Sequence, residues 1–159
     1  MKISRRKITF LKELSQIEPI IKSSKVCHVA MVDLENKPYV LPFNFGYDNG
    51  VIYLHSDPEG KKIDILKNNP NVSINFTTDH DLFHITDGMA CSYGMRYKSV
   101  LINGKVKFIE DNKAKIKAFN IFMKNYVKDE EFSYSGPSIE SVCVFKVEVN
   151  DFIGKTYGY

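Results

Sequence analysis

The stretch PYVLPFNFGYDNGVIYLHSDPEGKKID, residues 38–64, decides the fold of this chain. Two runs rich in aromatic and β-branched residues flank Asp48-Asn49-Gly50. Strand-forming runs joined by such a turn are a strong hairpin signal. The second run, Val51 to His55, breaks on Ser56, Asp57, Pro58 and Gly60. Asp57 suits an N-cap and Pro58 a first helical residue, so a helix is predicted to open there. Lys61 and Lys62 then fall near its first turn, where the helix dipole disfavours cations. Either an anion sits at that helix start, held by free N–H groups and the ammoniums, or the pair is a solvated basic patch.

Residues Val40 to Phe45 and His55-Ser56-Asp57-Pro58-Glu59-Gly60-Lys61-Lys62-Ile63-Asp64 resemble the split-barrel superfamily of pyridoxamine phosphate oxidase. Within it they are most similar to the branch of the nitroimidazole-resistance reductases. The later stretch Cys91-Ser92-Tyr93-Gly94-Met95-Arg96-Tyr97-Lys98-Ser99-Val100 matches that branch too, and the matched blocks keep their order from about Lys25 onward. The resemblance implies a mainly β fold, an FMN-binding split β-barrel with flanking helices, in one domain spanning 1–159. It also implies a homodimer with flavin between the subunits, FMN first and FAD as the other option.

The same resemblance implies which residues meet the cofactor. The ring would lie against the strand containing Val40, Leu41, Pro42, Phe43 and Asn44, and the phosphate would meet Gly60, Lys61 and Lys62. Contacts from His55, Ser56, Tyr97, Ser99 and Val100 complete the set. Each type has a physical reason to be there. A strand edge offers N–H and C=O groups to a heterocycle, and Pro42 leaves a ladder position open. Two lysines neutralise a phosphate dianion, and Ser99 donates a hydrogen bond without adding charge. His55, at a strand end beside the phosphate turn, is the candidate for proton delivery, or else a hydrogen-bonded strand-end histidine.

Composition sets the outer limits. A chain of 159 residues, 43% hydrophobic and 26% charged, is long enough for one well-buried core. Eleven Phe and nine Tyr favour strands and suit a pocket for a flat ligand. A net charge of +3, dispersed along the chain, argues against a dedicated nucleic-acid binder. No apolar run reaches the ~20 residues of a membrane-spanning helix. Met1 to Lys7 is basic, but Lys12 and Glu13 interrupt any signal-peptide core. Three separated cysteines, Cys27, Cys91 and Cys143, suit a reducing cytoplasm.

Periodicity predicts a helix over residues 8–23, split or kinked at Pro19, with Ser15 and Glu18 as a capping box for its second piece. Strands are predicted over Lys25 to Asp33, Val72 to Thr78, Met89 to Tyr93, Tyr97 to Glu110 (bending near Gly104) and Val142 to Val149, the last as an edge or interface strand. The tail Phe152 to Tyr157 adds a short one, for six to eight barrel strands. Asp79 to Gly88 reads as an irregular excursion, 128–140 as a loop, and Asp111 to Val127 as a helix.

No glycine-rich nucleotide loop is present. Cys27 and His28 point to opposite strand faces, and His80 and His84 lack a third ligand, so no metal site is predicted. Cys91 has no adjacent His or helix start to activate it, so it reads as packed rather than nucleophilic. The resemblance therefore implies a flavin-dependent oxidoreductase acting on a small, flat, electron-poor substrate, nitroimidazole reduction being the chemistry of the similar branch. A flavin carrier or sensor without turnover and a cofactor-free oligonucleotide-binding barrel are the other two classes.

Overall fold

The computed structural model describes residues 7–127 and 130–159. Among the described residues ten strands form two antiparallel sheets, flanked by helices, in the split-barrel arrangement predicted. The large sheet contains β1 (Ile8–Leu11), β2 (Cys27–Val32), β3 (Pro38–Phe43), β6 (Asn71–Phe83), β7 (Gly94–Lys105) and β10 (Asp151–Tyr157). Its order is β1-β10-β7-β6-β2-β3, so β3 is an edge strand. The small sheet contains β4 (Gly46–Asp48), β5 (Val51–Ser56), β8 (Lys107–Ile109) and β9 (Cys143–Glu148), in the order β4-β5-β9-β8. Four helices complete the fold: α1 (Leu14–Ser23), α2 (Lys61–Asn68), α3 (Asn112–Tyr126) and α4 (Gly136–Ser141).

The chain crosses between sheets four times: at Asn44-Phe45, through α2 between Ser56 and Asn71, at Val106, and between Glu148 and Asp151. Each crossing interrupts a ladder and leaves backbone groups to be satisfied elsewhere. At the first, the Tyr126 hydroxyl accepts from Phe45 N–H at 3.0 Å and donates to the Lys25 carbonyl at 2.9 Å, while Asn125 Nδ2 donates to Phe45 O at 3.2 Å. Helix α3 therefore staples the crossing from outside. Gly46 belongs to the same junction, because a Cβ there would lie 3.0 Å from the Phe122 amide.

Between the sheets the core is aromatic. Phe45 meets Phe76 edge-on at 4.9 Å, and Phe43 meets Phe145 at 6.1 Å. Ile52, Leu54, Ile74, Val100 and Ile102 fill the remainder without exposure. Offset and edge-on ring pairs contribute roughly 0.5–1.5 kcal/mol beyond the area they bury.

Several predicted elements are corrected. Asn49-Gly50 does form a two-residue turn with φ of 46° and 75°, but only Gly46–Asp48 pairs back onto β5. Pro38–Phe43 pairs with β2 in the other sheet, since its inward residues Leu41 and Phe43 complete the large sheet's core face. Ile8–Leu11 is a strand on β10, not a helical turn. Pro19 neither splits nor ends α1, because it and Ser15, whose carbonyl loses its partner, both face water. The cap of that helix involves Gln16, whose side chain accepts from Glu13 N–H at 3.0 Å; Ser15 and Glu18 form no second cap.

Strand β6 runs on through the first half of the predicted excursion, as far as Phe83, past a bulge between Thr78 and Asp81 where Asp79 takes a φ of 54°. Met89 to Tyr93 holds a single 3-10 turn, Ala90–Ser92, rather than a strand, and that turn buries no side chain, so Cys91 is exposed rather than packed. The long strand from Tyr97 breaks at Val106, two residues beyond the expected bend at Gly104. Within the predicted loop 128–140, Gly136–Ser141 is helical, capped by Ser135 with Pro137 in the first turn; residues 128 and 129 lie outside the described residues. Strand β9 is interior, with Val144, Phe145 and Val147 buried, because β8 covers the edge the sequence left open. The basic segment Met1 to Arg6 also lies outside the described residues. No described helix is long and apolar enough to cross a membrane.

Candidate functional site

A groove of about 480 Å³ opens where the ends of β3 and β5 meet the start of α2. Leu41, Pro42, Phe43 and Asn44 form one wall, His55, Ser56 and Asp57 another, with Lys62 and Val142 at the rim. Strand β3 lends its backbone to this wall because it is an edge strand, and Pro42, which has no N–H, fits only such a position. Val40 is on the same strand with its side chain outward and 55% exposed, outside the groove lining.

The start of α2 differs from the sequence prediction. Gly60, not Asp57, is the N-cap, with φ 112° and ψ 168°, a conformation open almost only to glycine. A Cβ there would meet nothing within 4 Å, so the glycine is required by the backbone rather than by crowding. Lys61 and Lys62 thus become the first two helical residues. Their amides have no carbonyl a turn earlier to receive them. Ile63 and Asp64 N–H groups both turn to Gly60 O, at 2.9 and 3.1 Å.

The two lysines diverge. Lys62 lines the groove, whereas the Lys61 ammonium lies 4.9 Å from the Tyr39 ring centre, beside a separate recess bordered by Asp33 and Asp64. The described side chains therefore bring one ammonium, not two, to the helix start. Free amides, the positive end of the helix and one ammonium together suit a phosphate, while the flat wall of β3 suits a planar ring.

His55 sits half-buried at the end of β5, opposite Val144. Its ring meets Phe122 edge-on at 4.8 Å and Phe119 at 5.2 Å, both from α3. Burial holds its pKa below the usual histidine value, so the imidazole is neutral at pH 7. A neutral imidazole can accept or donate one proton at the groove, but two phenyl rings fix its plane.

Tyr97, Ser99 and Val100 lie elsewhere. All three are on β7, separated from β3 by β6 and β2, about 14 Å at ~4.8 Å per strand. Ser99 faces outward between Thr77 and Lys155, and Val100 points inward with no exposure, so only its backbone is available. Tyr97 stacks on Tyr157 at 5.5 Å, and Lys155 stands over its ring at 5.4 Å. Beyond these polar neighbours the outer sheet face also carries exposed apolar side chains: Phe10 is 61% exposed, Ile153 50% and Met95 44%. One chain assembles the β3–β5–α2 groove and the β7 patch, but does not bring them together.

Two rim features escaped the sequence reading. Val142 lines the groove because Lys115, buried in α3, donates from Nζ to its carbonyl at 2.9 Å and to Ile139 O at 3.3 Å. The signal was present, since Lys115 shares a helical stripe with Ala118 and Phe122. Cys27 is buried, with its thiol pushed up to about 12 by desolvation, and His28 points the other way into solvent. His84 stacks on Tyr93 at 4.8 Å and pairs with Asp87. Among the described residues no three His, Cys, Asp or Glu side chains gather as metal ligands.

Comparison with known proteins gives the following. The family model for pyridoxamine 5'-phosphate oxidase matches residues 13–156. No curated protein matches significantly. Among solved structures, a candidate 5-nitroimidazole antibiotic resistance protein from Bacteroides thetaiotaomicron is similar at 45% identity and a TM-score of 0.84, over 96% of this chain and 89% of that one. The flavocytochrome Anf3 from Azotobacter vinelandii superimposes with a TM-score of 0.81 at 17% identity, covering 92% and 68%. An FAD and heme binding protein from Mycobacterium smegmatis gives 0.83 at 12% identity, covering 94% and 74%. The last two identities speak for the fold alone.

Proposed function

The chain belongs to the pyridoxamine 5'-phosphate oxidase family, and on that premise we propose that it is a flavin-dependent oxidoreductase working as a homodimer. FMN is the cofactor we assign, with FAD the alternative for the same groove. The substrate class is small, flat and electron-poor, and the 45% identity to the Bacteroides protein favours nitroimidazoles within it.

One observation carries the proposal: the edge of β3, the end of β5 and Lys62 from the first turn of α2 converge on a single groove. In that groove the β3 backbone would read the polar edge of the ring, and Phe43 and Leu41 would limit water behind it. The α2 amides and Lys62 would hold the phosphate. The bound flavin supplies the electron transfer; the protein supplies orientation and charge. His55, neutral and plane-locked, would hold or pass one proton at the groove wall. A second copy would bring Ser99 and Tyr97, which lie on a different face, to the groove, and the exposed Phe10, Ile153 and Met95 on that face suit burial against a partner.

The test is direct. The purified protein should be yellow, release FMN or FAD on denaturation, and bleach under anaerobic reductant with reoxidation by a nitroimidazole. A colourless protein that takes up neither flavin would end the proposal. A yellow one that never turns over would make it a carrier or sensor.

A further inference from the structure

Helix α3 has a second face that the flavin groove does not use. Phe119 and Phe122 pack on His55, while Lys117 and Lys124, two turns apart, lie on the opposite side. There they border a groove of about 570 Å³, completed by Lys22 of α1 and by Tyr47 and Asp48 of β4. Asp48 adjoins the Asn49-Gly50 turn before Val51, whereas His55 is at the far end of β5, about 13 Å along the strand. The two grooves are separate sites.

The charge of this groove is unbalanced. Helix α3 contains four lysines and no carboxylate. Lys22 is 3.6 Å from Glu18, and its ammonium stands 5.7 Å from the Tyr47 ring centre. Lys117 and Lys124 have no carboxylate within ion-pair distance among the described residues. The Tyr47 hydroxyl is committed to Glu18 at 2.8 Å, which fixes the groove floor. The two asparagines in the lining are half-committed. Asn120 Oδ1 accepts from Tyr134, leaving its amide N–H groups, and Asn125 Nδ2 donates to Phe45 O, leaving its oxygen.

Lys117, Lys124 and the Asn120 amide thus offer free donors and Lys22 a third ammonium shared with Glu18, while Asn125 Oδ1 and the Asp48 carboxylate, which also accepts from Asn49 Nδ2 at 3.1 Å, offer acceptors a short way off. Donors of that charge select a phosphate; acceptors beside them select hydroxyl groups. The cavity is also larger than an inorganic anion needs. We propose that this groove is a binding site for a small sugar phosphate, its phosphate on Lys22, Lys117 and Lys124 and its hydroxyls on Asp48 and Asn125.

The test is calorimetric titration of the purified protein, as isolated, with ribose 5-phosphate, inorganic phosphate and ribose. Ribose 5-phosphate should bind more tightly than the other two. Lys117→Ala and Lys124→Ala should each weaken it about tenfold or more, and Lys113→Ala, on the same helix but outside the groove, should change nothing. Both groove lysines are exposed, so melting temperatures should stay unchanged. Asp48→Asn should act in opposite directions, tightening inorganic phosphate while reducing the preference for the sugar ester. Three results would overturn the proposal: no heat from ribose 5-phosphate at millimolar concentration, equal affinity for inorganic phosphate, or an equal loss in Lys113→Ala.

Discussion

The groove at β3, β5 and α2 and the patch on β7 are two regions that the sequence assigned to one site, and they are built differently. The groove is concave and charged, with backbone groups left open by an edge strand and by a helix start. The patch is a sheet face on which Ser99 lies between Thr77 and Lys155, with Phe10, Ile153 and Met95 exposed on the same strands or the next one. A concave region can hold a ligand by itself; a flat one contributes only when something covers it. On the proposed homodimer the cover is a second copy, and each ligand would draw its phosphate-binding charge and its lid from different regions of the fold.

The strongest way to break that contrast is to charge the flat face. Phe10→Arg with Ile153→Arg alters side chains that are already exposed, so the chain should fold, yet light scattering should report monomers near 18.3 kDa. Flavin affinity should fall at least a hundredfold, because the β7 contacts and the cover are both lost. A monomer that still binds flavin tightly would assign the whole site to one chain.

Changes within the groove should cost less. Lys62→Ala should weaken flavin binding about ten- to a hundredfold, the usual worth of one contact to a charged group. Lys61→Ala should cost only a few-fold, since that ammonium lies over Tyr39, and Lys67→Ala, exposed further along α2, should serve as the control. Equal losses at Lys61 and Lys62 in a flavin titration would mean that both swing to the phosphate.

Ser99→Ala should have a smaller effect, about two- to tenfold on flavin affinity with the melting temperature unchanged, as for one neutral hydrogen bond. No change at all would remove β7 from the site.

The smallest effect concerns His55. Its pKa is lowered by burial, so as pH falls below the usual 6.5 the unfolded chain takes up this proton first. Stability from this group is fully present above 6.5 and declines as pH drops toward the folded-state value. His55→Gln should flatten that part of the melting-temperature profile between pH 7 and 5. A profile identical to that of the parent protein would show that the imidazole titrates as if exposed.

The Asn49-Gly50 turn and the helices α2 and α3 were legible in the chain, because turn chemistry and period are local properties, whereas the split barrel and the candidate cofactor contacts were read from the family resemblance. Ile8–Leu11 was misread because four apolar and polar residues fit a helical stripe and a strand equally well; its pairing with β10 depends on residues nearly 150 positions away. The crossing at Asn44-Phe45 had no local signal, since its satisfaction comes from Asn125 and Tyr126.

By itself, then, the sequence determined which residue types are available for a phosphate and a planar ring, since charge, glycine φ freedom and strand propensity travel with each residue. Only the tertiary structure decided that Lys61 and Lys62 part company, that Lys115 is buried to hold Val142, and that Ser99 faces away from the groove. These are matters of which strand lies beside which and which face a helix turns inward, and they are settled by contacts between residues far apart in the chain.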